Sequence, residues 1–474
     1  MRERWGSRAG FVLTTAGFSV GLGNIWRFPY LTGENGGGAF LVVYVAIAVA
    51  IGIPLLTAEL GMGRASRLTP IAGMARLTGS ARSPWNLIGW IGTAAAVLIT
   101  SYYVMLIAWL AAYFVMFVGT GGPGGSPSET RAAFEAFTGT PGPVIGYAAL
   151  IVVLMALVVS RGVAKGIERY AKVLMPLLVL LLGALAVRAI TLPGAGAGVV
   201  WYLTPDLSAL TGSSVLAALG QAFFSIGIGM ATAFGLGSYL DAEGSDVPGN
   251  AAMVVAFDTG VAVIAGFVLF PALFAFGMDP DQGAGLLFVT MTALFEQMPG
   301  GVMFGAAFFF LLLVAGFTSQ VAVFEILVAS AGDSLRMRRS RAVVLCAVGS
   351  FVICVPVILS QGPWSHVELL GMDLFDFVNR VSGDYMIAVA GLLISLFVVS
   401  RWGWSRFRDQ VNRGAGRFQV SALWRPLVRF IIPVAVAIVL MGGFGLGAGR
   451  PALFLGCAAA VILVHALILR RFPD

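Results

Sequence analysis

Phe18-Ser19-Val20-Gly21-Leu22-Gly23 and Phe224-Ser225-Ile226-Gly227-Ile228-Gly229 are nearly one hexapeptide written twice, 206 residues apart. Four positions are identical, and Val/Ile and Leu/Ile fill the other two. Each copy sits in a long apolar run, where glycines weaken a helix by roughly 1 kcal/mol each relative to Ala. In hydrocarbon, backbone groups freed by a break must find partners inside the protein. A single copy reads better as a close helix contact, because Gly17 and Gly21 have the GxxxG spacing of packed membrane helices. Two matched copies, one in each half of the chain, favour interrupted helices. Their freed carbonyls can hold a cation and their freed N–H groups a carboxylate. Gly21-x-Gly23 also matches part of a dinucleotide fingerprint, but no βαβ context surrounds it.

The rest of the chain supports a membrane setting. Of 474 residues, 59% are hydrophobic and 11% charged, whereas a soluble domain carries about 25% charged residues. That leaves too little polar surface for soluble domains. The formal charge of +7 does not indicate nucleic acid, since the basic residues fall in short gaps between apolar spans. Cys346, Cys354 and Cys457 lie in apolar runs, as small core residues do. His366 and His465 are isolated, so neither a zinc motif nor a nucleophile–base pair is present, and an enzyme is not expected. The basic start followed by an apolar run resembles a signal peptide. However, Asn24 and Arg27 interrupt that run, which leads straight into another span.

Twelve segments are long and apolar enough to cross a bilayer: 9–31, 39–62, 87–118, 143–160, 170–190, 213–240, 251–276, 301–331, 342–359, 374–399, 428–446 and 451–469. Nearly all the remainder reads as loop, and residues 1–474 read as one transmembrane domain in the lipid bilayer. Basic residues cluster after span 2 (Arg64, Arg67, Arg76, Arg82), span 4 (Arg161, Lys165, Arg169), span 8 (Arg336, Arg338, Arg339, Arg341) and span 10 (Arg401, Arg406, Arg408, Arg413, Arg417). The opposite loops carry Glu34, Glu129, Glu135, Asp206, Asp279, Asp281, Glu296 and Glu368. This bias predicts a multi-pass protein of the cell membrane (plasma or inner) with both termini cytoplasmic. Asp241, Glu243 and Asp246 dissent, but acids count for little in this rule.

A charge at the bilayer centre costs about 2.5–3.5 kcal/mol on insertion scales, so each one needs a reason. Arg27 lies one turn beyond Gly23, and Asp376 opens span 10 at a similar depth, which predicts a pair across an outer vestibule. Asp258 is near the middle of span 7. With Asn24 and Ser225 it supplies oxygen donors of the kind a hard cation takes. Thr318 and Ser319 lie mid-span with Gln320 beside them, though membrane hydroxyls usually bond their own backbone. Glu59 is read as a cap for amides freed by a break. Glu325 has no clear reading, and Tyr103 either faces the site or packs.

These residues resemble a known pattern. Trp5, then Gly17-Phe-Ser-Val-Gly-Leu-Gly-Asn-Ile-Trp-Arg-Phe-Pro-Tyr30, then Glu34-Asn-Gly-Gly-Gly-Ala-Phe40, is similar to the signature of the neurotransmitter:sodium symporter family (NSS or SNF), in its bacterial amino-acid transporter type. Gln221-Ala-Phe-Phe-Ser225 and Ala315-Gly-Phe-Thr-Ser319 match two further family motifs. The resemblance implies an all-α membrane fold of twelve helices with a LeuT-like 5+5 inverted repeat and helices 1 and 6 interrupted. Repeat one would cover about 9–190 and repeat two about 213–399. Helices 11 and 12, about 428–469, would serve packing or a homodimer contact.

The resemblance also implies two sodium ions and no organic cofactor. Sodium site one would use Ser19, Asn24, Ser225 and Asp258 with the substrate carboxylate. Sodium site two would use Gly17, Val20, Ala315, Thr318 and Ser319. An amino-acid substrate would meet Ser19, Gly21, Leu22, Gly23, Ile99, Tyr103, Phe224, Ser225, Gly227, Met230, Ser319 and Val323. Arg27 with Asp376 resembles the outer gate. Arg2 with Asp333, plus Trp5 and Tyr239, resembles the inner gate.

Departures from the family pattern refine this. Monoamine carriers place an Asp where Gly21 stands, so Gly21 favours a substrate with its own carboxylate. Chloride-dependent members have a Ser, and some bacterial members a Glu, at the position of Ala262. Tyr44, Gln221 and Ser225, which resemble the other chloride ligands, are kept. Asp258 stands where relatives have a neutral Asn, and its fixed charge can balance two sodium ions. The expectation is therefore sodium-coupled, chloride-independent symport of a neutral α-amino acid. The apolar wall and Gly227, where relatives carry a bulkier serine, favour a hydrophobic or aromatic one. Alternatives are a carrier of another small carboxylate-bearing solute, proton coupling on the same fold, a simple channel, and a substrate sensor that does not transport.

Overall fold

The computed structural model describes residues 4–443 apart from 125, 242, 243, 281–286, 415 and 417. Among the described residues, eight uninterrupted helices are long and apolar enough to cross a membrane: Gly38–Ser66, Pro84–Thr120, Pro141–Ser160, Val163–Ile190, Val247–Ala275, Gly301–Leu335, Arg339–Ser360 and Leu374–Val399. They are spans 2–5 and 7–10, with ends within four residues of those expected except for span 5, which starts seven residues earlier, at Val163. Span 11 begins at Trp424–Pro426 and continues through Leu427–Ile431 and Ile432–Gly443. The twelfth span, 451–469, the end of span 11, and Arg2 of the expected inner gate lie outside the described residues.

Spans 1 and 6 are each broken within the repeated hexapeptide. Span 1 has an inner half, Arg8–Ser19, and an outer half over residues 23–34. Between them Val20 is extended, with φ −72° and ψ 106°. Span 6 has an outer half, Gly212–Ile226, and a short inner half, Thr232–Gly237. The connecting turn takes Gly227 to φ +75°, Gly229 to +81° and Ala231 to +63°. Glycine adopts that region without a Cβ penalty, but Ala231 does so at a cost of about 1–2 kcal/mol. A β-carbon on Gly229 would fall on the Ile387 carbonyl, so this glycine also lets spans 6 and 10 touch backbone to backbone.

The segments between spans are more ordered than the loop reading expected. Short helices occupy Pro70–Thr78, Pro127–Gly139, Ala195–Leu203, Thr290–Gln297 and Trp404–Asn412. A two-residue hairpin pairs Glu368–Leu369 with Met372–Asp373. Spans 3 and 8 are 34- and 35-residue helices packed along each other. Each is about 50 Å long, well beyond a hydrocarbon core of about 30 Å. Span 8 also lies against the inner half of span 1, which packs on spans 5 and 7 as well. The two breaks therefore sit in the middle of the bundle, surrounded by helices and away from lipid.

Candidate functional site

The freed backbone at the span 1 break is bonded by side chains from elsewhere in the fold. The Gly21 N–H donates to Asn24 Oδ1 at 3.0 Å, and the Leu22 N–H donates to the Tyr103 hydroxyl at 3.1 Å. Gln221 Nε2 donates to the Gly23 carbonyl at 2.7 Å, and Ser319 Oγ donates to the Phe18 carbonyl. Ser19 Oγ reaches the Ile226 carbonyl at 3.2 Å, tying the two breaks together. At the span 6 break the Gly229 N–H donates to Glu59 Oε1 at 2.6 Å. Glu59 thus caps the break, as its position in span 2 suggested.

Asp258 lies beside the span 1 break and is fully buried. Asn24 Nδ2 donates to its Oδ1 at 2.8 Å and to its backbone carbonyl at 2.9 Å. Ser225 Oγ is 3.1 and 3.0 Å from the two carboxylate oxygens. Tyr44 OH is 3.5 Å from Oδ2 and 3.5 Å from Ser225 Oγ. All of these partners are neutral, and among the described residues no Lys, Arg or His is ion-paired with Asp258. A lone buried carboxylate costs several kcal/mol unless a cation accompanies it. On the other side of the break, Thr318 Oγ1 donates to the Val314 and Ala315 carbonyls at 2.9 and 3.0 Å. Its lone pairs stay open to a further partner.

Phe18, Ser19, Gly21, Gly23, Ile99, Tyr103, Phe224, Ser225, Gly227, Met230, Ser319, Gln320 and Val323 line one cavity of about 30 Å3 between the breaks. Eleven of these were expected at a substrate site from the sequence. Leu22 is not in the lining and contributes its N–H to Tyr103 instead. Phe18 and Gln320 were missed. A β-carbon on Gly21 would lie 2.5 Å from the Tyr103 hydroxyl and 2.9 Å from Ser319 Oγ, so this glycine keeps a polar face open. The space beside Gly227, expected to be free for a large side chain, holds the Phe18 ring.

On the outer side, Arg27 lies over the Phe224 ring, 4.6 Å from its centroid. Its acidic partner differs from the one expected. Arg27 Nη2 is 3.3 Å from Asp384 Oδ1, whereas Asp376 is exposed and receives no ion pair from Arg27. Asp384 lies within a π-helical turn over Arg380–Met386, about two helical turns further along span 10 than Asp376. On the inner side, the Trp5 indole N–H donates to the Leu236 carbonyl at 3.2 Å, and its ring meets Tyr239 edge-on. Tyr239 OH donates to Glu325 at 2.8 Å, and Arg339 pairs with Glu325 at 2.5 Å. Glu325, unreadable in the sequence, thus anchors this cluster. Asp333 accepts the Thr69 N–H at 2.9 Å.

A sequence model of the sodium:neurotransmitter symporter family matches residues 2–123 and 138–445. The chain belongs to this family. It is 36% identical over 444 residues to YhdH, an uncharacterized sodium-dependent transporter of Bacillus subtilis, covering 94% of this chain and 98% of that one. It is 33% identical over 453 residues to another such transporter from Haemophilus influenzae, covering 93% and 98%. A crystal structure of MhsT in complex with L-phenylalanine superposes with a TM-score of 0.84 at 37% identity, covering 94% of this chain and all of that one. The protein is thus a sodium-dependent membrane transporter with the LeuT-like fold, and not an enzyme.

Proposed function

We propose that this transporter imports a neutral, hydrophobic or aromatic α-amino acid together with sodium, two ions per cycle, by alternating access and without chloride. The observation that carries the reading is Asp258: a buried carboxylate at the break, hydrogen-bonded to Asn24, Ser225 and Tyr44 and, among the described residues, lacking a cationic side chain. Sodium supplies the missing positive charge at site one, with Ser19, Asn24 and Ser225. Gly17, Val20, Ala315, Thr318 and Ser319 hold the second ion. Tyr44 and Ser225, two of the three residues that resemble chloride ligands, already hydrogen-bond a fixed anion, so a mobile one is redundant.

The amino acid's carboxylate meets the first sodium ion and the Tyr103 hydroxyl above Gly21. Its side chain enters the wall of Ile99, Phe224, Met230 and Val323, and a large one displaces the Phe18 ring. The phenylalanine named for the MhsT structure supports an aromatic substrate. Arg27 with Asp384, and the Trp5–Tyr239 cluster, act as the outer and inner gates. The cell membrane with both termini cytoplasmic is the setting that fits the arginine-rich loops. The test is reconstitution in liposomes with an inward sodium gradient and labelled amino acids. Sodium-dependent uptake that persists with gluconate in place of chloride is expected. Absence of any sodium-dependent uptake or binding rejects the reading, and loss of uptake in gluconate rejects its chloride part.

A further inference from the structure

Gln320 is an unexpected residue in an otherwise apolar wall. It is 1% exposed and lines the cavity with Ile99, Met230 and Val323. Its Nε2 is 2.8 Å from Thr100 Oγ1, and Thr100 Oγ1 is 2.7 Å from the Ala96 carbonyl. These two bonds settle the amide's orientation. The Thr100 hydroxyl hydrogen is committed to Ala96, so its oxygen can only accept, and Gln320 must present its NH2 group. The amide oxygen is then turned away from Thr100, and it accepts no hydrogen bond among the described residues. With its NH2 group held by Thr100, the amide keeps its oxygen as the acceptor available to a ligand that brings a donor into the cavity.

The geometry points to Gln320 as a specificity residue: its Oε1 accepts a hydrogen bond from the substrate, so the preferred amino acid has a largely apolar side chain carrying one N–H or O–H donor. Thr100 is a positioning residue that fixes the amide. This rests on the amino-acid reading above and narrows its substrate class. A site built around such an acceptor discriminates strongly against the isostere that lacks the donor, because the acceptor is then left unpaired.

The test is competition between near-isosteric pairs for sodium-dependent binding to the purified, full-length transporter: threonine and valine, tyrosine and phenylalanine, tryptophan and its benzothiophene analogue. The donor-bearing member of the pair that fits best binds about tenfold tighter or more. Gln320→Met removes that preference, while the apolar member still binds in sodium. Thr100→Val, in which the amide remains but loses its orienting acceptor, lowers the preference and serves where Gln320→Met does not fold. Equal binding within every pair overturns the inference, as does a preference that survives Gln320→Met or is unchanged in Thr100→Val. If no amino acid binds in sodium, the amino-acid reading itself fails, which is a distinct outcome.

Discussion

The Phe18 ring stands where a β-carbon on Gly227 would be, so the first residue of one hexapeptide fills the gap left by a glycine of the other. Two effects oppose a side chain at 227: the ring, and a φ of +75° that favours glycine. Gly227→Ala should therefore cost about 1–2 kcal/mol from backbone conformation alone, plus the displacement of Phe18. The expected result is a lower melting temperature and weaker substrate binding. Phe18→Ala should shift selectivity towards larger side chains, and Phe18→Ala in the Gly227→Ala background should recover part of the lost stability. Competition binding across a size series checks both. An unchanged size preference in Phe18→Ala would mean that the ring does not bound the substrate.

Asp258→Asn keeps the shape of the side chain and removes its charge. Removing one partner of a buried charge pair typically costs about 3–5 kcal/mol. Sodium affinity should fall by more than about tenfold, corresponding to the loss of at least about 1.4 kcal/mol. A sodium titration of substrate binding measures this. The same variant should gain a stimulation by chloride that the parent lacks, because the fixed anion beside Tyr44 and Ser225 is gone. An unaltered sodium titration would place the ion elsewhere.

Much of this site was legible because it is local. The matched hexapeptides mark both breaks, and apolar run lengths mark the spans. What the sequence hid was long-range or depended on phase. Asp376 and Asp384 are both acids near the outer end of span 10, and an ideal helix gives no warning of the π-helical turn between Arg380 and Met386 that presents Asp384 to Arg27. Glu325 made sense only once Tyr239 and Arg339 arrived from other elements. Other signals were there to be read. Ser126-Pro127-Ser128-Glu129 is a capping box, and it starts the Pro127–Gly139 helix in what looked like loop. Phe18 belongs to the quoted hexapeptide, but its apolar side chain looked like packing until the Gly227 turn was seen against it.

The Arg27–Asp384 pair makes a graded prediction for the outer gate. The two side chains are 20% and 47% exposed, so the bond is screened and worth at most about 1 kcal/mol. Asp384→Asn should favour the outward-open form only severalfold. That shift should appear as faster labelling of a cysteine introduced in the outer vestibule, for example Ala217→Cys, which lines that space with Arg27. Asp376→Asn should leave the labelling rate unchanged. The opposite ranking of the two variants would return the gate to Asp376.

Glu59 gives the last prediction, about stability and not selectivity. Its Oε1 accepts the Gly229 N–H at 2.6 Å in a site with no access to water. Glu59→Ala leaves that amide without an acceptor and opens a cavity, for a loss of about 1–3 kcal/mol from the unpaired donor alone. Glu59→Gln keeps an acceptor oxygen of similar reach, so its loss should be the smaller of the two. Thermal unfolding in detergent with sodium present ranks the parent above Glu59→Gln and Glu59→Ala lowest. If Glu59→Gln falls as far as Glu59→Ala, the charge on Glu59 matters more than its hydrogen bond to the broken helix, and the capping role is wrong.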